Sequence, residues 1–124
     1  MLNGMQTYGP LDNYILANRK QSGLSQHDVA FLLDIARQRL ARFEDQGELP
    51  HLRSAIGLEL IFEEPMQSLF AGVAHKMRSQ VVARARSLLV GMSEKPTADN
   101  AQRLATLDIL GHLDEDVTPW RDLA

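Results

Sequence analysis

The chain has 124 residues, of which 44% are hydrophobic and 23% charged, and its formal net charge at pH 7 is -3. These values are ordinary for one globular domain, or for a small domain with an extension, and the mild acidity argues against a nonspecific polyanion binder. The chain contains no cysteine, which excludes disulfide bonds and thiolate metal sites.

The N-terminus and the overall hydropathy bear on where the protein works. Residues 1–10, MLNGMQTYGP, contain neither the basic segment nor the apolar segment of a secretory signal, and we expect a flexible N-terminus there. No stretch approaches the roughly 20 apolar residues that a membrane span needs. Because cysteine is also absent, a reducing cytoplasm is the expected location, and no membrane partner is expected.

The first helix is predicted over residues 11–21. Pro10 precedes it, and Gly23 follows it as a stop signal. Arg19 and Lys20 lie near its C-terminal end, where cations interact favourably with the helix dipole.

A short second helix is predicted to follow Ser25 and to end at Asp34. Ser25 is a good N-cap, and Asp28 three residues later resembles the second half of a capping box. Its predicted apolar side consists of Val29, Ala30, Leu32 and Leu33. Only about three residues then remain before the next helix, which is the spacing of a helix-turn-helix.

The third helix is predicted within LDIARQRLARFE, residues 33–44. At about 100° per residue, Ala36, Leu40 and Phe43 fall on one side and would face a core. The opposite side carries, from its centre outward, Gln38 and Ala41, then Arg37 and Arg42, and then Arg39. Guanidinium and amide groups can make paired hydrogen bonds to base edges in the DNA major groove. Taken alone, the stretch also fits a solvated surface helix.

A fourth helix is predicted to begin at Leu49-Pro50, with Pro50 in its first turn. Its predicted inward residues are Leu52, Ala55, Ile56 and Leu60. The run IGLELIF could also be a buried strand, but helix is preferred because no partner strand is visible elsewhere. Pro65 then opens a short helix, PMQSLF, which closes near Gly72.

Residues 73–92 are predicted to form a longer amphipathic helix. Its apolar stripe consists of Met77, Val81, Ala85, Leu88 and Met92, and its basic side of Lys76, Arg78, Arg84 and Arg86. The stripe is expected to pack on a second copy of the chain, and the alternative is that the basic side extends a DNA contact. Thr97 is predicted to cap a last helix that ends near residue 113, and Trp120 in the tail either docks or is disordered.

The sequence carries no pattern of an enzyme or of a metal protein. His27, His51, His75 and His112 lack a ligand spacing such as H-x-x-x-H, and no cysteine can assist them. There is no glycine-rich phosphate loop and no nucleophile elbow. We therefore expect no catalysis, no metal and no cofactor.

Residues 12–72 resemble the DNA-binding domain of the lambda-repressor-like, Cro/C1-type (XRE) family. The resemblance is carried by Arg19-Lys20, by SGLSQHDVAFLLDIARQRLARFE, by Leu49-Pro50 and by PMQSLF. It implies a five-helix lambda-repressor-like helix-turn-helix domain over residues 11–72 of an all-α chain. Residues 73–124 lie outside the resemblance, and their predicted helices make them a C-terminal helical extension and a possible dimerisation region. The chain departs from the family pattern at Asp34, where the family has Gly, at Ala41, where it has Ser, and at Gly47, which comes one residue late after Glu44.

The resemblance implies sequence-specific binding to double-stranded DNA by a transcriptional repressor. A second copy of the chain, packed on the apolar stripe of residues 73–92, would make it a homodimer on a palindromic operator. The residues that the resemblance assigns to DNA are Gln26, for which plain solvation is the alternative, and Arg37, Gln38, Ala41 and Arg42 on the outward face of the third helix. Apart from the resemblance, Arg39 could contact a phosphate, and Arg19, Lys20 and Arg53 could reach backbone phosphates, with plain solvation as the alternative for these three. Arg39 is equally compatible with a pair to Asp45. Glu44 is expected to brace the fold by pairing with a basic residue of the first or second helix.

Two other functions remain open at this point. One is the antitoxin of a toxin–antitoxin pair, which would bind its own promoter and hold a toxin as a protein partner. The other is a helical protein-interaction module that does not bind DNA.

Overall fold

The computed structural model describes residues 11–92 and 97–116, with the backbone alone for residues 115 and 116. Within these ranges every regular element is helical and no strand is present, so the prediction of an all-α chain is confirmed there. The elements are α1 (Ile15–Ser22), α2 (Gln26–Leu33), α3 (Arg37–Asp45), α4 (Leu52–Phe62), α5 (Met66–Leu69), α6 (Ala71–Val90), α7 (Ala101–Gly111) and a 3-10 turn (Leu113–Asp116).

The described residues divide into two compact units, 11–73 and 74–116. None of their helices is long and apolar enough to cross a membrane. The expectations for residues 1–10, 93–96 and 117–124, among them the flexible N-terminus and the docking of Trp120, lie outside the described residues.

α1 begins at Ile15, later than predicted. The residues before it are held in irregular backbone because the N–H of Tyr14 donates to the carbonyl of Leu69 at 2.7 Å. The side chain of Asn13 then accepts from the N–H of Ile15 at 3.0 Å. The predicted stop is confirmed, because Gly23 ends α1 with a φ of 81°, in the left-handed region that favours glycine.

A turn of residues 34–36 joins α2 to α3. The predicted capping box starts α2, since Asp28 N–H donates to Ser25 Oγ at 3.0 Å and Ser25 N–H to Asp28 Oδ2 at 2.9 Å. Asp34 ends α2 in the left-handed conformation, with φ 58° and ψ 48°. Aspartate tolerates that region better than most residues other than glycine. The chain therefore leaves α2 sharply and enters α3 at once.

The core of the first unit takes side chains from each of its first five helices. The fully buried ones are Ile15, Val29, Leu40, Phe43, Leu58 and Leu69. The prediction that Leu40 and Phe43 face the core is confirmed. The same prediction was wrong for Ala36, which is exposed because it precedes α3 as the N-cap.

The inward side of α4 differs from the prediction. Ala55 is buried as expected, and Leu58 is buried with it, but Leu52, Ile56 and Leu60 are 66%, 44% and 73% exposed. α4 has apolar residues on two sides, and the side of Ala55 and Leu58 is the one that meets the other helices of this unit.

α2 approaches α4 at Gly57. A Cβ atom at Gly57 would occupy the position of the Leu33 side chain, so the absence of a side chain lets the two helices come close. Leu33 packs against the core in this way, whereas Leu32, also predicted to be inward, is 57% exposed.

The second unit contains most of α6, α7 and the 3-10 turn. Arg86 ties α6 to the end of α7 by donating from Nε to the carbonyl of Gly111 at 2.7 Å. The predicted stripe is buried only at Ala85, while Met77 and Leu88 are 48% and 50% exposed. α7 begins after Asn100 and not at Thr97, although Thr97 Oγ1 accepts from the N–H of Asn100 at 3.3 Å in the preceding turn.

Candidate nucleic-acid interface

The outward side of α3 is polar and accessible. Arg37, Gln38 and Arg42 are exposed and Ala41 is half-buried, opposite the two fully buried core residues of this helix. The helical period separates these two sets cleanly. Of the residues that the sequence assigned to DNA, these four share one accessible helix face.

Four polar side chains form one hydrogen-bonded chain across α1, α2 and α3. Arg19 donates from Nε to Oε2 of Glu44 at 2.7 Å and from Nη2 to Oε1 at 3.2 Å. Gln26 donates from Nε2 to Oε1 of Glu44 at 2.9 Å, and Arg37 donates from Nη1 to Oε1 of Gln26 at 3.0 Å. Gln26 is the first residue of α2 and Arg37 the first residue of α3, so this series of hydrogen bonds connects the starts of both helices to the Glu44 carboxylate.

The ion pair of Arg19 and Glu44, at the inner end of this series of hydrogen bonds, is buried. The Glu44 side chain has no exposed surface, and the Arg19 side chain is 13% exposed. The hydrogen bonds that Arg19 donates to Glu44 raise the pKa of Arg19 above its ordinary value, against an opposing effect of burial. The predicted pair of Glu44 with a basic residue of the first or second helix is present, and Arg19 of α1 is that residue. The assignment of Arg19 to DNA phosphates is corrected, because its guanidinium is committed to Glu44 and to the carbonyl of Leu24 at 3.2 Å.

Glu48, in the loop after α3, pairs with two arginines of that helix. Arg42 donates from Nε to Oε1 of Glu48 at 2.8 Å, while the Nε of Arg39 lies 3.3 Å from Oε2 as an ion pair without hydrogen-bond geometry. The hydrogen bond from Arg42 is the main cause that lowers the pKa of Glu48, and the charges of both arginines act in the same direction. The expected alternative pair of Arg39 with Asp45 was wrong, since Glu48 is the partner.

An open cleft of about 490 Å³ lies between the turn 34–36, α3 and the start of α4. Its basic lining consists of Arg39, Arg42, His51 and Arg53, and Asp34 is the acidic residue on its wall. Arg53 is exposed in the first turn of α4, where the positive end of the helix dipole lies. The cleft therefore offers guanidinium groups to an anion beside the polar side of α3.

Two further residues that the sequence assigned to DNA, Lys20 and Gln26, are not among those that line the cleft. Lys20 is exposed on α1 and is not among the residues that line the cleft. Gln26 is half-buried, and both ends of its amide already bond within the protein. An amide can donate twice and accept twice, so Gln26 keeps one N–H and one lone pair for a further partner.

Sequence reasoning missed Glu48. It lies six residues after Arg42 and beyond the end of α3, so no helical spacing pairs the two. Gly47, with a φ of 68°, turns the chain back, and the N–H groups of Gln46 and Glu48 both donate to the carbonyl of Arg42 at 3.0 and 3.3 Å. Gly47 after α3 was the available sequence signal for a turn, but it does not specify which side chain the turn brings back against Arg42.

The site provides hydrogen-bond donors and positive charge. Within residues 11–92 and 97–116 there is no group of three or more His, Asp or Glu side chains that could hold a metal ion. The chemistry on offer at α3 and the cleft is recognition of an anion and of hydrogen-bond acceptors.

Comparisons with protein-family models, with curated proteins and with solved structures found no match to the chain. The resemblance to the XRE family therefore rests on the residues of the sequence alone. What the protein does has to be inferred from the geometry of α3 and its surroundings.

Proposed function

We propose that the protein is a cytoplasmic, sequence-specific double-stranded-DNA-binding protein of the lambda-repressor-like (XRE) type that represses transcription. The proposal is carried by the division of α3, whose Leu40 and Phe43 are fully buried while Arg37, Gln38 and Arg42 are exposed on the other side. α3 is the second helix of a pair joined by a tight turn, and in helix-turn-helix proteins the second helix enters the major groove. Residues 11–72 are then the five-helix DNA-binding domain.

Base readout falls to the exposed side of α3. Arg37 and Arg42 have the donor geometry for guanine O6 and N7, and Gln38 can bond adenine N6 and N7. Ala41, half-buried between them, can touch a thymine methyl group. Arg37 would arrive oriented, because Gln26 already holds it at 3.0 Å.

Contacts with the DNA backbone fall to the cleft. Arg39 and Arg53 line it beside Arg42, and phosphate groups fit guanidinium donors with charge-assisted hydrogen bonds. Gln26 has one remaining N–H for a phosphate, and Lys20 on α1 adds an exposed charge. Arg19 is left out of this interface because of its pair with Glu44.

A homodimer is the proposed working form. The exposed Met77 and Leu88 of α6 lie on one side of that helix and leave apolar surface for a second copy. A two-fold dimer would present two copies of α3 to half-sites one helical turn apart on a palindromic operator. A close variant is an antitoxin, in which the same surface or its neighbours would hold a toxin.

A second candidate function is a helical protein-interaction module that does not bind DNA. It is favoured by an apolar stripe on α4, where Leu52 and Leu60 are 66% and 73% exposed, with Ile56 between them and Leu49 just before the helix at 61%. Adjacent exposed apolar side chains of this kind commonly mark a surface that binds protein.

Selection of binding sites from random duplex DNA, followed by affinity measurements at several salt concentrations, tests the proposal. We expect enrichment of a two-fold symmetric sequence with half-sites about 34 Å apart. Its affinity should exceed that of scrambled DNA by about 10³-fold or more and should fall linearly with salt on a logarithmic scale.

The matched control is the variant with Arg37→Ala, Gln38→Ala and Arg42→Ala, which changes the polar side of α3 and none of the core. It should keep the fold by circular dichroism and lose the enrichment. If the wild type enriches no sequence and shows no salt-dependent binding, the interaction module is the better function.

A further inference from the structure

The loop after the proposed recognition helix α3 carries an acidic residue, Glu48, that contact with a phosphate or a base does not explain. Glu48 places a carboxylate against Arg42 and Arg39, on the side that would face DNA. A carboxylate near phosphates is repelled, so its position there weakens general attraction to DNA. The backbone turn at Gly47 nevertheless directs the chain back toward the end of α3, where the N–H of Glu48 donates to the carbonyl of Arg42 at 3.3 Å.

The contact with Glu48 leaves the terminal nitrogens of the Arg42 guanidinium available to bond a base. Glu48 engages Nε of Arg42 at 2.8 Å, while the two terminal nitrogens make no hydrogen bond within the described residues. A guanidinium donates through five N–H groups in a rigid fork, so fixing one edge also orients the other. The Arg42 side chain is 45% exposed, which leaves that other edge accessible.

The charges at this point also bear on selectivity. Two guanidinium groups share one carboxylate, so the cluster of Arg39, Arg42 and Glu48 has a net charge of one positive unit instead of two. Nonspecific binding to DNA is almost entirely electrostatic, whereas base recognition depends on oriented donors. A carboxylate that weakens nonspecific binding and orients a donor for base recognition therefore raises the ratio of specific to nonspecific affinity.

We propose that Glu48 is a specificity-determining positioning residue, which orients Arg42 for one base pair and suppresses binding of this helix to arbitrary DNA. The inference rests on the proposed DNA-binding function and adds to it the origin of selectivity at that base pair. Glu48 itself touches no base, because it acts through the guanidinium of Arg42.

The test first locates the base pair. Arg42→Ala, measured against a set of single-base variants of the selected site, identifies the position at which discrimination depends on Arg42. Discrimination at that position and affinity for scrambled DNA are then measured for Glu48→Ala and Glu48→Gln. Glu48→Gln keeps an oxygen acceptor for Nε of Arg42 and removes the charge, whereas Glu48→Ala removes both.

Both variants should bind scrambled DNA about tenfold more tightly at low salt, with a steeper dependence on salt. Glu48→Ala should lose about tenfold in discrimination at the Arg42 position, and Glu48→Gln should retain most of it. Asp45→Asn is the matched control, since it removes one negative charge from the last residue of α3, and Asp45 is bonded to neither Arg39 nor Arg42 in the structure. It should leave discrimination unchanged.

A readout without DNA accompanies these measurements. The Nε–H resonance of Arg42 in the free protein should exchange slowly with water in the wild type and in Glu48→Gln, and rapidly in Glu48→Ala. This signal reports the orientation of Arg42 independently of any DNA-binding function.

Each other outcome overturns the inference in a distinguishable way. If Glu48→Ala binds selected and scrambled DNA more tightly by the same factor, Glu48 merely masks charge. If both variants melt at lower temperature and lose affinity uniformly, its role is structural. A wild type that selects no sequence removes the proposed function and this inference together, while a selective wild type with unchanged discrimination in Glu48→Ala removes the inference alone.

Discussion

Arg19 of α1 and Glu44 of α3 form a two-point ion pair that joins the two helices across 25 residues of sequence, with Nε–Oε2 and Nη2–Oε1 distances of 2.7 and 3.2 Å. The carboxylate is fully buried and the guanidinium nearly so. Gln26 bonds the same carboxylate and in turn holds Arg37, so a buried ion pair sets the position of an exposed arginine on α3.

We expect Glu44→Ala to lower the free energy of unfolding by about 3 kcal/mol, because the Arg19 guanidinium would stay largely buried without its carboxylate. Urea denaturation measures the change. The double variant Arg19→Leu with Glu44→Leu removes both charges and should lose much less stability than the single variant. Wild-type stability in Glu44→Ala would show that the pair does not brace the fold.

The buried side of α3 predicts a second stability effect. Leu40→Ala and Phe43→Ala should each destabilise the protein by about 2–5 kcal/mol, since both side chains are fully buried and their removal leaves a cavity. Leu60→Ala is the control, because Leu60 is 73% exposed and its loss should change stability by no more than about 0.5 kcal/mol. Unchanged melting of both core variants would contradict the orientation of α3.

A substitution at Gln38 tests the proposed base readout without a change in stability. It is exposed and makes no side-chain hydrogen bond within the described residues, so Gln38→Ala should leave the melting temperature unchanged. For the selected DNA site we expect a loss of about 1–3 kcal/mol in binding and a relaxed preference at one base position. Fluorescence anisotropy with single-base site variants measures both. Equal affinity and preference in wild type and variant would remove Gln38 from the reading surface.

The capping box of α2 predicts a pH dependence. The hydrogen bond from the Ser25 N–H is the main cause that lowers the pKa of Asp28 below its ordinary value of 3.8. A lowered folded-state pKa means that this group stabilises the fold above its unfolded pKa, and that the stabilisation is lost as the pH falls through the folded pKa. The gap in melting temperature between wild type and Asp28→Asn should therefore be constant near neutral pH and should close below about pH 4.

Ser25→Ala removes the other half of the box. It should lower the free energy of unfolding by about 1 kcal/mol, because the Asp28 N–H loses its acceptor at the start of α2. Thermal unfolding at neutral pH measures the effect.

For the pH experiment, a gap in melting temperature between wild type and Asp28→Asn that persists unchanged at low pH would contradict the capping role of the carboxylate.

The proposed dimer predicts the effect of charge on α6. Met77 and Leu88 are half exposed, so Met77→Glu with Leu88→Glu should fold as a monomer, with each charge solvated. In a two-fold seam the same charges would be buried against their copies and repelled. Light scattering gives the oligomeric state, and the variant should bind a palindromic site much more weakly than the wild type.

The control for that experiment is Ser79→Glu with Ala83→Glu, which adds the same charge at exposed positions on the opposite side of α6. It should have the same mass in solution as the wild type. If Met77→Glu with Leu88→Glu also keeps the mass of a wild-type dimer, the seam lies elsewhere, and the exposed side of α4 becomes the next surface to test.

The sequence by itself determined the features that depend on residues within a turn or two of one another. The capping box of Ser25 and Asp28, the stop at Gly23 and the division of α3 into a buried and an exposed side were all predicted and are all present. Caps and helical periodicity involve neighbours in sequence, so the chain carries them without reference to the rest of the fold.

Only the tertiary structure decided which of two apolar sides of α4 is buried and which partners the arginines take. Leu52 and Leu58 are both apolar, and the helices that pack on α4 bury one and leave the other exposed. The pairs of Arg19 with Glu44 and of Arg42 with Glu48 join residues that no helical spacing relates. Burial and ion pairing depend on which surfaces meet in space, and no local pattern in the sequence specifies that.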